Sequence, residues 1–455
     1  MTGAHLIPFD DLTPVATTRN ASLVQRIDPF YGSLWSAPDG GVAVAWSSRG
    51  STKRLADAGM VKPRAVERAW EKHEALALVP ERRPRLEALA AISMWRAITS
   101  EQLAAITGRA GVGTGHDNRG TISVLWSAGL IHCGDFVAPR TRLRQLPAIF
   151  RPASNESMSP LEPLLTYRDW VGVTGSQRQP WGHHYDRHNL LTTELSLRAA
   201  ELLPLIGVLG EGMASWSLIF DPSAGVPETS HRAADAVWIR ADGLKIAIET
   251  TANVSALTTA KIQHAADYLA ADKSRSTMVL FVNAADHATG NPTEVSKLLR
   301  MAIAKSAYSS RATIAANVAQ RMALARWVDW FPEPRMVSSS FLTLAAQYPA
   351  KASPGANRFE WIDLLDPYAL PGPEADTSFL KDNIALLYGV PHWQRRSPNP
   401  DLLTTRLLDH FGVPQSLRRA PSEKSKFQGR ADHMNRRRRM VATAGRRREQ
   451  EEEVV

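Results

Sequence analysis

The chain reads as a multidomain α/β protein, and three observations predict this. Between Pro84 and Arg144, three stretches of helical periodicity precede a strand pair. From Leu190 to Asn283 the pattern runs helix, strand, hairpin, helix, strand. The length, 455 residues, is too great for one ordinary core, so two or three domains are expected. With 44% apolar and 22% charged residues, the chain is globular rather than disordered throughout.

Residues 1–80 form an N-terminal extension. Pro8, Pro14, Pro29 and Pro38, with Gly32, Gly40 and Gly41, make its first part loop-rich. Val61 to Leu78 predicts one charged helix starting near Pro63. From Pro84 the periodicity sharpens, with Leu86, Leu89, Ala90 and Met94 at helical spacing. Thr99-Ser100-Glu101-Gln102 spells a capping box, in which the Thr99 hydroxyl and the Gln102 amide satisfy free helix N–H groups. That short helix stops at Gly108, and a third is expected from Gly120 to Ala128, ending at Gly129. The segment from Leu130 to Arg144 reads as a hairpin. Residues 81–150 are thus a winged helix-turn-helix arrangement. Arg140, Arg142 and Arg144 alternate with Thr141 and Leu143, so a strand would present three guanidiniums on one side. Arg109, His116 and Arg119 precede the third helix, where they would reach phosphates or groove edges. The pattern points to DNA; a winged helix used only for protein contact is the alternative.

Residues 160–335 carry the second succession, expected as a mixed sheet flanked by helices. Pro152 to Pro180 reads as linker. A long helix is predicted from Leu190 to Leu203, with Leu191, Leu195, Ala199 and Leu202 as its apolar stripe. Trp216 to Phe220 and Thr277 to Asn283 are strand candidates, and Leu257 to Ala271 a helix. Pro292 to Ala325 reads as helical and Trp327 to Phe331 as a further strand. The hairpin between them, Ala233 to Thr250, organises the chemistry. If Ala241-Asp242-Gly243 is a three-residue loop with Gly243 left-handed, Arg240 pairs with Leu244 and, counting back, Asp235 faces Glu249. Opposed residues share a face with Cβ atoms roughly 4.5–5.5 Å apart. A two-residue loop would send the two acids to opposite faces.

Residues 336–417 are Pro-rich, with helices expected from Asp376 to Tyr388 and from Asp401 to Phe411. Residues 418–455 are expected to be a disordered basic tail. Arg418 to Arg448 hold twelve Lys/Arg, including the run Arg436, Arg437, Arg438 and Arg439, against two acids. That net +10 exceeds the whole chain's +9, so the remainder is near neutral and the tail is suited to a polyanion, most often nucleic acid. One cysteine, Cys133, excludes an internal disulfide framework and a four-cysteine zinc site. No signal-peptide pattern or membrane-length apolar run is expected, and cytoplasmic localisation follows.

Metal-dependent phosphodiester cleavage needs a cation to polarise the phosphate and activate water. Mg²⁺ takes oxygen ligands and keeps several waters, so two carboxylates suffice. Asp235 and Glu249 are the candidate catalytic and metal-binding acids; the alternative for Glu249 is an ordinary ion pair or an exposed strand end. Lys261 shares a helical face with His264, Ala265 and Tyr268 and is the candidate to steady the attacking water or the phosphate. His184 and His188, at i and i+4, have transition-metal spacing if helical, with Tyr185 beside them as a nicking nucleophile. The His-hydrophobic-His strand motif of such relaxases is missing, so packing or phosphate contact is the reading taken.

These features in order resemble the replication-relaxation family of bacterial plasmids and integrative elements. The residues concerned are the winged helix, the helix after His184-Tyr185-Asp186-Arg187-His188-Asn189, Ala234-Asp235-Ala236, Ile248-Glu249-Thr250-Thr251, and Lys261-Ile262 with Tyr268. The similarity covers about residues 84–285. It implies a winged helix joined to a domain similar to the PD-(D/E)xK nucleases, a restriction-endonuclease-like fold, with Asp235 and Glu249 as its acids. It also implies an acid on the first helix completing the metal shell, Glu194 first and Glu201 as fallback. The family's lysine is expected where this chain has Thr251; either Lys261 replaces it or the site binds without cutting. The implied function is DNA binding in replication, mobilisation or conjugative transfer of a mobile element, as a Mg²⁺-dependent nicking nuclease. The alternatives are a non-catalytic regulator or replication-initiation accessory, and a scaffold recruiting transfer proteins of the same element.

Overall fold

A computed structural model describes residues 5–12, 22–31, 34, 44–58, 69–113, 120–137, 147–174, 186–214, 216, 233–240, 242–271, 276–286, 291–309, 318–350, 358–366, 368–370 and 388–395. The N-terminal extension supplies β1 (Leu6–Pro8), β2 (Val44–Ser47), α1 (Arg49–Asp57) and α2 (Lys72–Ala77). There follow α3 (Arg82–Trp95), β3 (Ile98–Thr99), α4 (Ser100–Thr107), α5 (Thr121–Ser127), β4 (Ile131–Phe136) and β5 (Ile149–Pro152). Helices α6 (Asn155–Met158) and α7 (Tyr167–Thr174) occupy the stretch read as linker. The larger unit holds α8 (Asp186–Leu202), β6 (Leu205–Gly210), β7 (Ala236–Arg240), β8 (Lys245–Thr251), α9 (Ala256–Ala271), β9 (Thr277–Asn283), α10 (Pro292–Ala307) and β10 (Met322–Arg326). Last come α11 (Trp327–Trp330), β11 (Met336–Ser338), α12 (Ser339–Leu342), β12 (Ala345–Pro349) and β13 (Phe359–Asp363).

The architecture is mixed α/β. A seven-stranded sheet has the order β13-β12-β10-β9-β8-β7-β6, and a four-stranded sheet the order β2-β4-β5-β3. In the large sheet β8, β9 and β10 are parallel neighbours, joined through α9 and α10, while β6, β7 and β8 are antiparallel. Strands β8 and β9 are buried almost end to end, as expected where helices cover a sheet. On one face Trp238 donates from its indole N–H to Ser196 of α8 at 2.9 Å, and Thr192 of α8 bonds Thr250 at 2.9 Å.

Local signals predicted several boundaries. Thr99 caps α4 with Gln102 returning the bond, and Gly108 takes φ +74° at its end. Strand β9 covers Thr277–Asn283 as read from the apolar run. Elsewhere long-range pairing differs from the sequence reading. The strand preceding the hairpin is β6, not Trp216 to Phe220, of which only Trp216 is described. Trp327–Trp330 is a helical turn rather than a strand, because the stretch is anchored by ring packing: Trp327 stacks on Phe30 at 5.3 Å. The strand is instead β10, in the stretch expected to be helical. β4 pairs with β5 (Ile149–Pro152); the segment of Arg140, Arg142 and Arg144 lies outside the described residues. His116, Arg119, His184, Tyr185, the helices expected over 376–387 and 401–411, and the tail with Arg436 to Arg439 also lie outside them.

The boundaries at 80 and 335 cut across both sheets. β2 of the extension pairs with β4, and β12 and β13 of the Pro-rich region extend the large sheet. Gly210 and Gly212 let the end of β6 meet α3: a Cβ on Gly210 would lie 2.7 Å from the Trp95 ring.

The extension is also tied down by charge. Arg26 donates to both oxygens of Glu194 at 3.1–3.2 Å and to both of Glu201 at 2.7 and 2.8 Å. Arg198 bonds Glu194 at 3.2 Å and Asp28 at 2.7 Å, and the Gln102 amide bonds Glu194 at 3.3 Å. All the partners in this cluster except Asp28 are almost fully buried. Replacing one member of such a cluster leaves the others charged away from water. Arg26→Met should therefore cost roughly 3–5 kcal/mol in urea unfolding; a wild-type midpoint would show that the cluster contributes no net stability.

Candidate functional site

The site is built by the hairpin β7–β8, the first turn of α8 and the second turn of α9. Gly243 takes φ +89°, its N–H donates to the Arg240 carbonyl at 2.9 Å, and the Arg240 N–H donates to the Leu244 carbonyl at 2.9 Å. The ladder then pairs Ile239 with Lys245, Val237 with Ala247 and Ala236 with Ile248. Asp235 directly precedes the last paired step and Glu249 directly follows it, and both carboxylates come within reach of one Lys261 ammonium. Asp235 is fixed twice by the neighbouring strand. Its N–H donates to the Ile248 carbonyl at 3.0 Å, and its carboxylate accepts from the Thr250 N–H at 2.7 Å.

Lys261, two turns into α9, brings its ammonium to 3.0 Å from Glu249 and 3.7 Å from Asp235. His188, in the first turn of α8, places Nε2 at 3.0 Å from Asp235. The four side chains form one constellation from four elements. Lys261 is 44% exposed while the acids are 8% exposed or less, so the cluster opens to solvent on the α9 side.

Burial and charge set the protonation states. Burial pushes the Glu249 carboxyl up to about 7; Lys261 opposes this and the Asp235 charge reinforces it. Burial also works to raise Asp235, but His188, Lys261 and the Thr250 N–H hold it down at about 2. Glu249 and Asp235 together hold the Lys261 ammonium well above the ordinary lysine range. Burial disfavours the His188 imidazolium, yet Asp235 outweighs it and raises the ring above its usual value.

Glu194 does not join this site. Both its oxygens are taken by Arg26, Arg198 and Gln102. Burial would raise it, but the two arginines hold it below the usual carboxylate range. Glu201, the fallback, belongs to the same cluster through Arg26. The physical reason is helical phase. Glu194 lies six residues beyond His188, about 600° of rotation, so it points well away from the side of α8 that reaches Asp235. His188 is the side chain α8 delivers. Its separation from Asp235 by 47 positions left no local signal, apart from its place at the start of the helix.

Asp235 and Glu249 supply two hard oxygen ligands, a set that fits a hydrated Mg²⁺ better than Zn²⁺. Among the described residues, no group of three or more His, Cys, Asp or Glu side chains is arranged to hold a metal ion. Of the expected DNA contacts, Arg109 is described: it is half-exposed and bonds Glu87 at 3.3 Å. Cys133 is partly buried, and burial pushes its thiol up to about 12, which removes it as a nucleophile at neutral pH. Among the described residues no helix is long and apolar enough to cross a membrane. Comparison with family models, curated proteins and solved structures finds no match.

Because the folded Glu249 holds its proton more tightly than the unfolded chain does, stability should fall as pH rises from about 4.5 to about 7. Asp235 acts in the opposite sense, with stability lost as pH falls below its ordinary range towards about 2. Carboxyl NMR should show Glu249 titrating near 7, higher in Lys261→Met and lower in Asp235→Asn. A midpoint at the ordinary value of about 4.3 in the wild type would refute this account.

Proposed function

We propose that the protein binds DNA and cleaves one of its strands at the Asp235–Glu249–Lys261 site. The observation that carries this reading is the meeting of two buried carboxylates from the two arms of one hairpin at one lysine ammonium. Asp235 and Glu249 would hold Mg²⁺, which when bound supplies charge to polarise a phosphodiester and to acidify water. Lys261 has the mobility of a half-exposed side chain and the charge to hold a phosphate oxygen or the attacking water. It does from α9 what a lysine at the Thr251 position would do from the strand. His188 fixes the rotamer of Asp235.

The fold supports the same reading at lower resolution. Helices α3, α4 and α5 followed by β4 and β5 are compatible with a winged helix-turn-helix, and the large sheet is mixed and flanked by helices, as this reading needs. The basic tail adds salt-sensitive affinity for phosphates. In this reading the protein serves the replication, mobilisation or conjugative transfer of a plasmid or integrative element, in the cytoplasm, beside that element's own replication or transfer proteins.

One observation favours a second reading. Lys261 pairs with both acids and His188 with Asp235, so the constellation can stand as a structural ion cluster, and the domain would then bind DNA as a regulator without cutting. Asp235→Ala and Glu249→Ala separate the two. Under the nuclease reading, each abolishes Mg²⁺-dependent nicking of supercoiled DNA, by at least about a hundredfold, while duplex affinity stays within about twofold. If the wild type never nicks single- or double-stranded DNA with Mg²⁺ or Mn²⁺, the regulator reading stands.

A further inference from the structure

Helix α1 lacks the packing that normally holds a short helix. It spans nine residues, Arg49–Asp57, and none of them is buried. Isolated helices shorter than about 12–15 residues are marginal in water, and in proteins a buried apolar face supplies the missing stability. What holds α1 is local. Ser48 caps it, accepting from the Ser51 N–H at 3.1 Å while the Ser51 hydroxyl accepts from the Ser48 N–H at 2.9 Å, and β2 leads straight into it.

Its exposed side chains include Lys53 and Arg54 beside Leu55 and Asp57, and Arg49 is partly exposed. Arg49, Lys53 and Arg54 stand against one acid, Asp57, and none of the three cations has an ion-pair partner among the described residues. Arg49 and Lys53 lie one turn apart on the same face. Lys72 adds to the patch: burial lowers its pKa, and the nearby Arg49 charge lowers it further.

The position of α1 gives this charge a use. Strand β2 pairs with β4 in the four-stranded sheet, and the carbonyl of its last residue, Ser47, accepts from the Trp126 indole of α5 at 3.3 Å. Helix α5 has the chain position of a recognition helix, but its sequence, Thr-Ile-Ser-Val-Leu-Trp-Ser, carries no charge, and Ile122 and Val124 to Ser127 are buried. The element beside it that offers cations is α1.

We infer that α1 is a contact for the phosphate backbone of duplex DNA, with Arg49, Lys53 and Arg54 as the contacting side chains. The helix belongs to the N-terminal extension and works alongside the neighbouring helix-and-sheet unit. This rests on the DNA-binding reading above. The partner is duplex DNA because the helix carries three cations against one acid and one exposed apolar side chain, Leu55, and a row of phosphates matches several cations without ion-pair partners among the described residues.

The test uses the full chain. Binding of a fluorescent 30-base-pair duplex is measured by anisotropy from 50 to 300 mM salt for the wild type, for Lys53→Gln/Arg54→Gln, and for the charge-matched control Lys297→Gln/Lys305→Gln on exposed positions of α10. The α1 variant should bind at least about tenfold more weakly at 100 mM salt, with its log–log salt slope smaller by about 2, while the control stays within about twofold. All three should melt at the same temperature, since the replaced side chains are exposed. If the α1 variant loses no more than the control, α1 is not a DNA contact, though the protein still binds DNA. If the wild type shows no duplex affinity even at 50 mM salt, the DNA-binding reading itself fails and α1 falls with it.

Discussion

Two carboxylates buried side by side repel each other where water screens them poorly, and the candidate-site end of the large sheet depends on how that repulsion is met. Glu249 and Asp235 reach the same face because a Gly243 turn sets the register of β7 against β8. Lys261 bridges them, His188 holds Asp235, and the Thr250 N–H anchors Asp235 to the strand opposite. The result is an unequal pair, with one acid held ionised and the other poised near neutrality. Unequal acids beside one cation are what metal-assisted and acid–base chemistry both use. A purely structural cluster would need no opening to solvent, yet the lysine side of this one is half exposed.

Helix α8 connects this site to the rest of the chain. Its first turn gives His188 to the site and, through Asp186, accepts the Trp46 indole of β2 at 3.1 Å. Its middle packs on the sheet through Thr192 and Ser196. Its second half carries Glu194, Arg198 and Glu201 into the cluster with Arg26 and Asp28. One helix therefore serves three partners on three sides, which explains why fifteen of its seventeen residues are buried despite seven charged or hydroxyl-bearing side chains among them. Every buried charge on it has a counter-charge from elsewhere in the chain.

The same economy places the N-terminal extension. Its strand β2 completes the four-stranded sheet, and β1 pairs with β11 at the far end of the chain. A region with weak periodicity is therefore an integral part of both the helix-and-sheet unit and the larger domain. Among its described residues, helix α1 follows β2 directly and has no buried side chain.

What the sequence by itself determined is whatever depends on neighbours in the chain: the capping box at Thr99, the left-handed glycines at 108 and 243, the β9 span, and through the hairpin register the meeting of Asp235 with Glu249. These follow from backbone dihedrals and hydrogen bonds within a few residues, so composition and spacing reveal them. Tertiary structure alone decided that Glu194 answers to Arg26, that His188 reaches Asp235, that β2 and β5 flank β4, and that β12 and β13 widen the sheet. Each of those depends on which distant surface a side chain or strand edge meets. Several partners satisfy a buried carboxylate equally well in one dimension, and only packing in three selects among them.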